Sequence, residues 1–99
     1  GTTCRDGTVV FEKITGQVLR DAVEVILDIN TVDPVGITPA CAAECLKLGA
    51  SCPSFLVDYE SRLCFRLDRD SQGRDDQLTP REGRSYFEKV CVMGEFRRH

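Results

Sequence analysis

Six cysteines in a chain of 99 residues can do two kinds of chemistry: bind a metal as thiolates, or close on one another as disulfides. Four of them, Cys41, Cys45, Cys52 and Cys64, follow the spacing C-x3-C-x6-C-x11-C, with Cys4 and Cys91 as outliers and no C-x-x-C pair. Structural zinc sites bring tight Cys or His pairs spaced by about two to four residues. Cys41 and Cys45 are the only pair so close, and the single histidine, His99, is the last residue. The even count in a short chain therefore reads as three disulfides, with no metal and no cofactor.

Nucleophilic catalysis needs a Cys or Ser beside a base. With every cysteine paired and His99 terminal, neither a Cys-His nor a Ser-His arrangement can be built, and no catalytic residue is assigned. Asp68, Asp70, Asp75 and Asp76 invite thoughts of calcium, but they alternate with Arg66, Arg69 and Arg74 and lack the Asp-x-Asp-x-Asp-Gly register of a calcium loop. Mixed charge of this kind reads as a solvated segment. A binding reading is open to the arginines: Arg62, Arg66, Arg69, Arg74 and Arg84 could converge on a sulfated, heparin-like glycosaminoglycan, because guanidinium forks suit sulfate geometry. Five acids, Asp68, Asp70, Asp75, Asp76 and Glu82, stand among them.

Thirteen basic and sixteen acidic residues are interspersed to a net charge of -3. No basic stripe is present, which argues against a nucleic-acid partner. The size is that of one domain, 1–99 with a core over 4–91, near the limit where a core alone gives modest stability and crosslinks supply the remainder. The disulfides predict passage through an oxidising compartment, hence a secreted or extracellular protein of the matrix or cell surface. No signal peptide and no spanning run is seen, and Gly1-Thr2-Thr3 reads as the edge of a module cut from something larger, so that any membrane attachment would come through other domains. Asn30, the only asparagine, is not in a glycosylation sequon.

The elements that must position these groups alternate strand and helix signals. A strand is predicted over 9–14 with a turn at Thr15-Gly16, and a second over 23–29, where Val23, Val25, Leu27 and Ile29 share one face. Asp33-Pro34-Val35-Gly36 breaks the chain. A helix opens at Thr38-Pro39, a hydroxyl N-cap with proline at N1, and stops at Gly49; Cys41, Cys45 and Leu48 form its inward stripe. Phe55, Val57 and Tyr59 alternate in one strand and Leu63, Phe65 and Leu67 in another, with 58–62 as their hairpin. Cys64 lies on the face opposite Leu63 and Phe65, which predicts a sheet covered on both sides. Residues 68–84 read as a long surface loop and 85–92 as a closing strand.

Six cysteines permit fifteen pairings, and sequence alone does not choose among them. Cys41 and Cys45 project in near-parallel directions from one helix face, so a bond between them is disfavoured. The working hypothesis is the nested set Cys45–Cys52, Cys41–Cys64 and Cys4–Cys91.

Several motifs together resemble a known family. They are Phe-x4-Gly-x2-Leu from Phe11 to Leu19, a helix carrying C-x3-C, C-x2-F-x3-Y from Cys52 to Tyr59, a hairpin to Cys64, and a last strand reading Tyr86-Phe87-Glu88-Lys89-Val90-Cys91. The chain is similar over 4–91 to a PAN/apple domain. The resemblance implies an α+β fold, a small twisted antiparallel sheet with one helix packed across it, three disulfides in the same nested set, and a non-catalytic role in binding extracellular protein or glycan ligands. The closing run most resembles PAN modules of invertebrate cuticular or apical-matrix proteins, often found beside a zona pellucida domain. The stretch 21–38 exceeds what the family leads one to expect before the helix and leaves strand order there open. Self-association as a structural element of a matrix filament is a further reading, which an exposed apolar patch would favour. Peptide mapping of the unreduced chain is expected to recover Cys41 joined to Cys64; a fragment joining Cys41 to Cys52 would refute the nested set.

Overall fold

The computed structural model describes Cys4, residues 7–29 and residues 36–93. Among them the elements follow the order β1 (Gly7–Leu19), β2 (Glu24–Ile26), α1 (Ile37–Lys47), β3 (Ser54–Asp58), β4 (Leu63–Leu67) and β5 (Leu78–Met93). The strands form a five-stranded sheet in the order β1-β5-β3-β4-β2, every pair antiparallel. The helix lies across β3 and β4 on one face. The fold is thus the expected α+β arrangement of one helix on a small antiparallel sheet, and β2, beyond β4, settles the strand order around the second expected strand.

Alternation along the strands divides the sheet into two apolar layers. On the helix side, Phe55 and Val57 of β3, Cys64 of β4 and Phe87 of β5 pack with Ile37, Cys41, Cys45, Cys52 and Leu27. Phe55 is the centre of this layer: its ring stacks on Phe87 at 4.6 Å between centroids and meets Phe11 edge-on at 5.0 Å. On the other side Leu19, Leu56, Leu67 and Tyr86 form a second cluster, with Ile14, Phe65 and Leu78 against it. Both faces are covered, as the placement of Cys64 predicts.

The helix begins earlier than its sequence signals suggest. Gly36 is the N-cap, no side chain caps the end, and Thr38 uses its hydroxyl on the Tyr59 phenol instead, at 3.2 Å. Pro39 falls in the first turn, where N–H groups have no intrahelical partner, so its missing donor still costs nothing. The buried stripe is Ile37, Cys41 and Cys45. Leu48, expected on that stripe, is instead the C-cap residue, still in right-handed helical geometry, and is 41% exposed. Tyr59 and Leu63 also stand out of the core, at the mouth of the hairpin. Of the expected break, Asp33, Pro34 and Val35 lie outside the described residues.

Three strand expectations change. The chain does not reverse at Thr15-Gly16; β1 continues to Leu19, with Gly16 at φ 72° and the register with β5 shifting across it. Thr15 pairs with Ser85 and Gln17 with Pro80, so residues 81–84 arch out opposite Gly16. The strand expected over 23–29 shrinks to Glu24–Ile26, with Val23 59% and Val25 41% exposed while Leu27 turns into the helix-side core. Alternating apolar residues select a buried face only where something covers them, and the helix packs mainly on β3 and β4. Finally, the last seven of the seventeen residues of the expected loop 68–84 belong to β5. Leu78, Thr79 and Pro80 pair with Leu19, Val18 and Gln17. Proline is tolerated there because β3 pairs with β5 only from Arg84 to Glu88, leaving the other edge of Pro80 without a neighbour that needs its N–H.

What remains of that loop is pinned to the second face by a buried polar knot. Glu88, 5% exposed, accepts hydrogen bonds through one oxygen from the Ser71 hydroxyl at 2.5 Å, the Tyr86 hydroxyl at 2.7 Å and the Ser71 N–H at 3.2 Å. Ser54 donates to the Arg69 carbonyl at 2.6 Å from the same face. A carboxylate in such a place is tolerable only because it is supplied with donors.

Burial, reinforced by the neighbouring Glu88, raises the Tyr86 phenol well above its ordinary value of 10.0. Unfolding releases a normal tyrosine, so above about pH 10 the unfolded state binds fewer protons and stability falls with rising pH. Lys89 acts in the opposite sense: burial lowers its pKa from 10.5, so deprotonation relieves the folded state over the pH range below that value. Tyr86→Phe is expected to cost about 1 to 2 kcal/mol at neutral pH and to flatten the loss above pH 10. Thermal melts of both proteins at pH 8, 9.5 and 11 check this.

Candidate binding site

The cysteines sit where they fasten elements. Cys41 of α1 joins Cys64 of β4 with Cα atoms 6.2 Å apart, and Cys45 joins Cys52 at 5.3 Å, just before β3. Cys4 joins Cys91 of β5 at 5.6 Å. All six cysteines are thus paired, and all three spans lie within the range that unstrained bridges occupy. The inner four are fully buried. At Gly7, a Cβ would run into the Val92 carbonyl oxygen and come within 3.2 Å of the Cys4 sulfur, so only glycine lets the start of β1 pass beside this outer bridge.

The arginines singled out by sequence are not drawn together. Arg66 points to the helix side and donates to the Ser51 carbonyl at 3.2 Å. Arg84, 18% exposed at its side chain, is on the opposite face, between Asp58 at 3.3 Å and Glu24 at 3.7 Å, and lies over the Phe65 ring at 5.9 Å. Arg69 donates to Gln77 at 3.0 Å and to the Arg20 carbonyl, tying the 68–77 loop to the end of β1. Arg74 pairs with Asp76 at 3.0 Å. Arg62 occupies the hairpin turn at a positive φ of 60°. Four of the five guanidiniums are therefore engaged within the chain and distributed over two faces.

One of them lines a built recess. The arch 81–84 and the β3–β4 hairpin face each other at one end of the sheet and enclose a cleft of 360 Å³, lined by Asp58, Glu60, Ser61, Arg81, Glu82 and Arg84. Local chemistry makes both walls. The Asp58 carboxylate accepts the N–H groups of Glu60 at 3.1 Å and Ser61 at 3.2 Å, closing an Asx-type turn. Gly83, at φ 81°, takes a left-handed conformation that the arch needs and an L side chain resists, and its carbonyl accepts the Tyr59 N–H at 3.0 Å. The two walls are thus hydrogen-bonded to each other.

Three carboxylates face two guanidiniums in this cleft. The Ser61 N–H holds the Asp58 carboxyl below the ordinary carboxylate range, and the Arg84 guanidinium adds to this against the cost of burial. Asp58 and Arg84 are therefore fixed and charged, while Arg81, Glu60 and Glu82 are exposed around them. Tyr59, 38% exposed, turns away from the cleft to the helix side, where its hydroxyl meets Thr38 and its ring lies 5.7 Å from the Lys13 ammonium. Sequence reasoning missed Asp58, Glu60, Ser61 and Arg81 as a group. Their only local signals are an Asp two residues before Glu60-Ser61 and a glycine inside the charged run 81–84; what unites them is the register shift opposite Gly16, which is a long-range property.

No curated protein matches the chain. No solved structure matches it either. The family profile of the PAN domain matches residues 4–91, spanning both outer-bridge cysteines, the helix and the sheet described above. The chain belongs to the PAN domain family.

Proposed function

We propose that this PAN domain is a non-catalytic recognition module of an extracellular matrix or cell-surface protein, and that it takes a neutral, hydroxyl-rich glycan at the cleft between the 81–84 arch and the β3–β4 hairpin. The observation that carries this reading is the lining itself: fixed Asp58 and Arg84, with Glu60, Glu82, Ser61 and Arg81 around them, offer both acceptors and donors, which is what sugar hydroxyls, each both donor and acceptor, require. Three bridges and the inter-wall hydrogen bonds hold the walls in place before a ligand arrives, so little ordering entropy is lost on association.

The same lining speaks against dense sulfation. Carboxylates outnumber guanidiniums in the cleft, and the arginines outside it are engaged or lie on the other face. Placement in a cuticular or apical matrix is proposed on the closing run Tyr86-Phe87-Glu88-Lys89-Val90-Cys91.

Screening the domain against immobilised neutral, acidic and sulfated glycans is expected to select neutral oligosaccharides. Arg81→Ala or Glu60→Ala, both at exposed positions, is expected to weaken that binding about tenfold or more, the value of one charge-assisted hydrogen bond, with an unchanged melting temperature. Elution from heparin at or below physiological salt accompanies this reading; tight heparin retention lost in an Arg66→Ala variant would replace it with the sulfated ligand.

A further inference from the structure

The strand β2 is the outer strand on one side of the sheet, and no described residue pairs with its far edge. The Leu27 N–H donates to the Cys64 carbonyl at 2.9 Å. With the register Glu24↔Leu67, Val25↔Arg66 and Ile26↔Phe65, this makes Val25 and Leu27 the residues bonded to β4 and turns the backbone N–H and C=O groups of Glu24 and Ile26 outward, since the two kinds of pair alternate. Edge strands are blunted by shortness, by charge, by proline or by a bulge. The strand β2 is three residues long and carries Glu24, but no lysine, proline or bulge interrupts Val23-Glu24-Val25-Ile26, and Val23, Val25 and Ile26 are 59%, 41% and 57% exposed. From Ile26 the apolar surface continues inward to Phe65, directly opposite, and along β4 to Leu63, 36% exposed.

Charge indicates what fits. On the face of β2 that carries Ile26, Glu24 and Asp28 flank it by alternation, and Asp21 precedes the strand. Only Glu24 of these has an ion pair among the described residues, with Arg84 at 3.7 Å. A second copy of this chain is a poor occupant. Antiparallel self-pairing centred on Ile26 sets Glu24 against Asp28 twice, pairing centred on Glu24 sets two glutamates together, and the register between them buries each Glu24 carboxylate against an isoleucine. Like charges directly across a ladder are destabilising.

We infer that the outer edge of β2 is a strand-addition site for an extended partner segment of the pattern basic-x-aliphatic-x-basic, with β-branched residues at x. Its backbone takes the outward groups of Glu24 and Ile26, its basic residues sit across from Glu24 and Asp28, and its central aliphatic residue covers Ile26. This site adjoins the glycan cleft through the Glu24–Arg84 pair, but the inference does not rest on the glycan reading.

The test is amide NMR of the intact domain titrated with the peptide acetyl-Gly-Lys-Val-Ile-Thr-Lys-Gly-amide. Saturable shifts centred on the Glu24 and Ile26 amides are expected, about five- to tenfold weaker in Asp28→Lys and abolished when the peptide carries N-methyl groups on its bonding edge. Ile26→Pro, which removes an outward donor without touching the β4 ladder, is expected to lose binding with the remaining spectrum unchanged. Equal binding of the Lys→Glu peptide, shifts elsewhere, no shift at 5 mM peptide, or concentration-dependent shifts of Glu24 and Ile26 without peptide would each overturn the proposal, the last in favour of a second copy.

Discussion

The Cys41–Cys64 bond is the constraint on which the rest of the structure leans. It fixes the middle of the helix over β4, and with Cys45–Cys52 one turn later it leaves α1 no freedom to roll or slide. Only with the helix so placed are Ile37, Phe55, Val57 and Phe87 removed from water together. The apolar stripe of α1 is narrow, and two of its three buried members are the sulfur-bearing residues themselves. A helix this short would not hold its place on such a stripe by the hydrophobic effect alone. Covalent closure does what a larger core does elsewhere.

The opposite face is organised by hydrogen bonding. There the run Tyr86-Phe87-Glu88-Lys89-Val90-Cys91 serves both layers at once. Tyr86 and Glu88 hold Ser71, Phe87 stacks on Phe55, Lys89 donates to the Gly49 carbonyl at 2.8 Å near the helix's C-terminal end, and Cys91 closes on Cys4. A cation is favourable at that end of a helix, where carbonyl groups lack partners. Five of the six residues in the run thus have a structural employment, and the proposed cleft draws on other residues, at the hairpin and the arch.

Local signals carried much of this architecture. Alternation in β3 and β4 identified the hairpin and its buried Phe55 and Val57, and a glycine past Leu48 marked the helix end, because short-range periodicity and turn chemistry act on neighbours in the chain. What escaped is what distant residues decide. The arch at 81–84 stands opposite Gly16 because β1 continues past it as a strand, and Val23 and Val25 stay exposed on a strand that precedes the helix by more than ten residues. The candidate cleft inherits this limit: Arg84 was legible as a lone cation, while its partners Asp58 and Glu24 come from two other strands.

The outer bridge has a mechanical meaning. Cys4 and Cys91 are separated by 87 positions along the chain but by 5.6 Å in space. Tension entering before Cys4 and leaving after Cys91 travels through the sulfur atoms and bypasses everything between them. In a load-bearing polymer such a unit adds almost no slack and does not unravel under pull; it hangs from the line as a pendant, with its recognition surfaces kept out of the path of force.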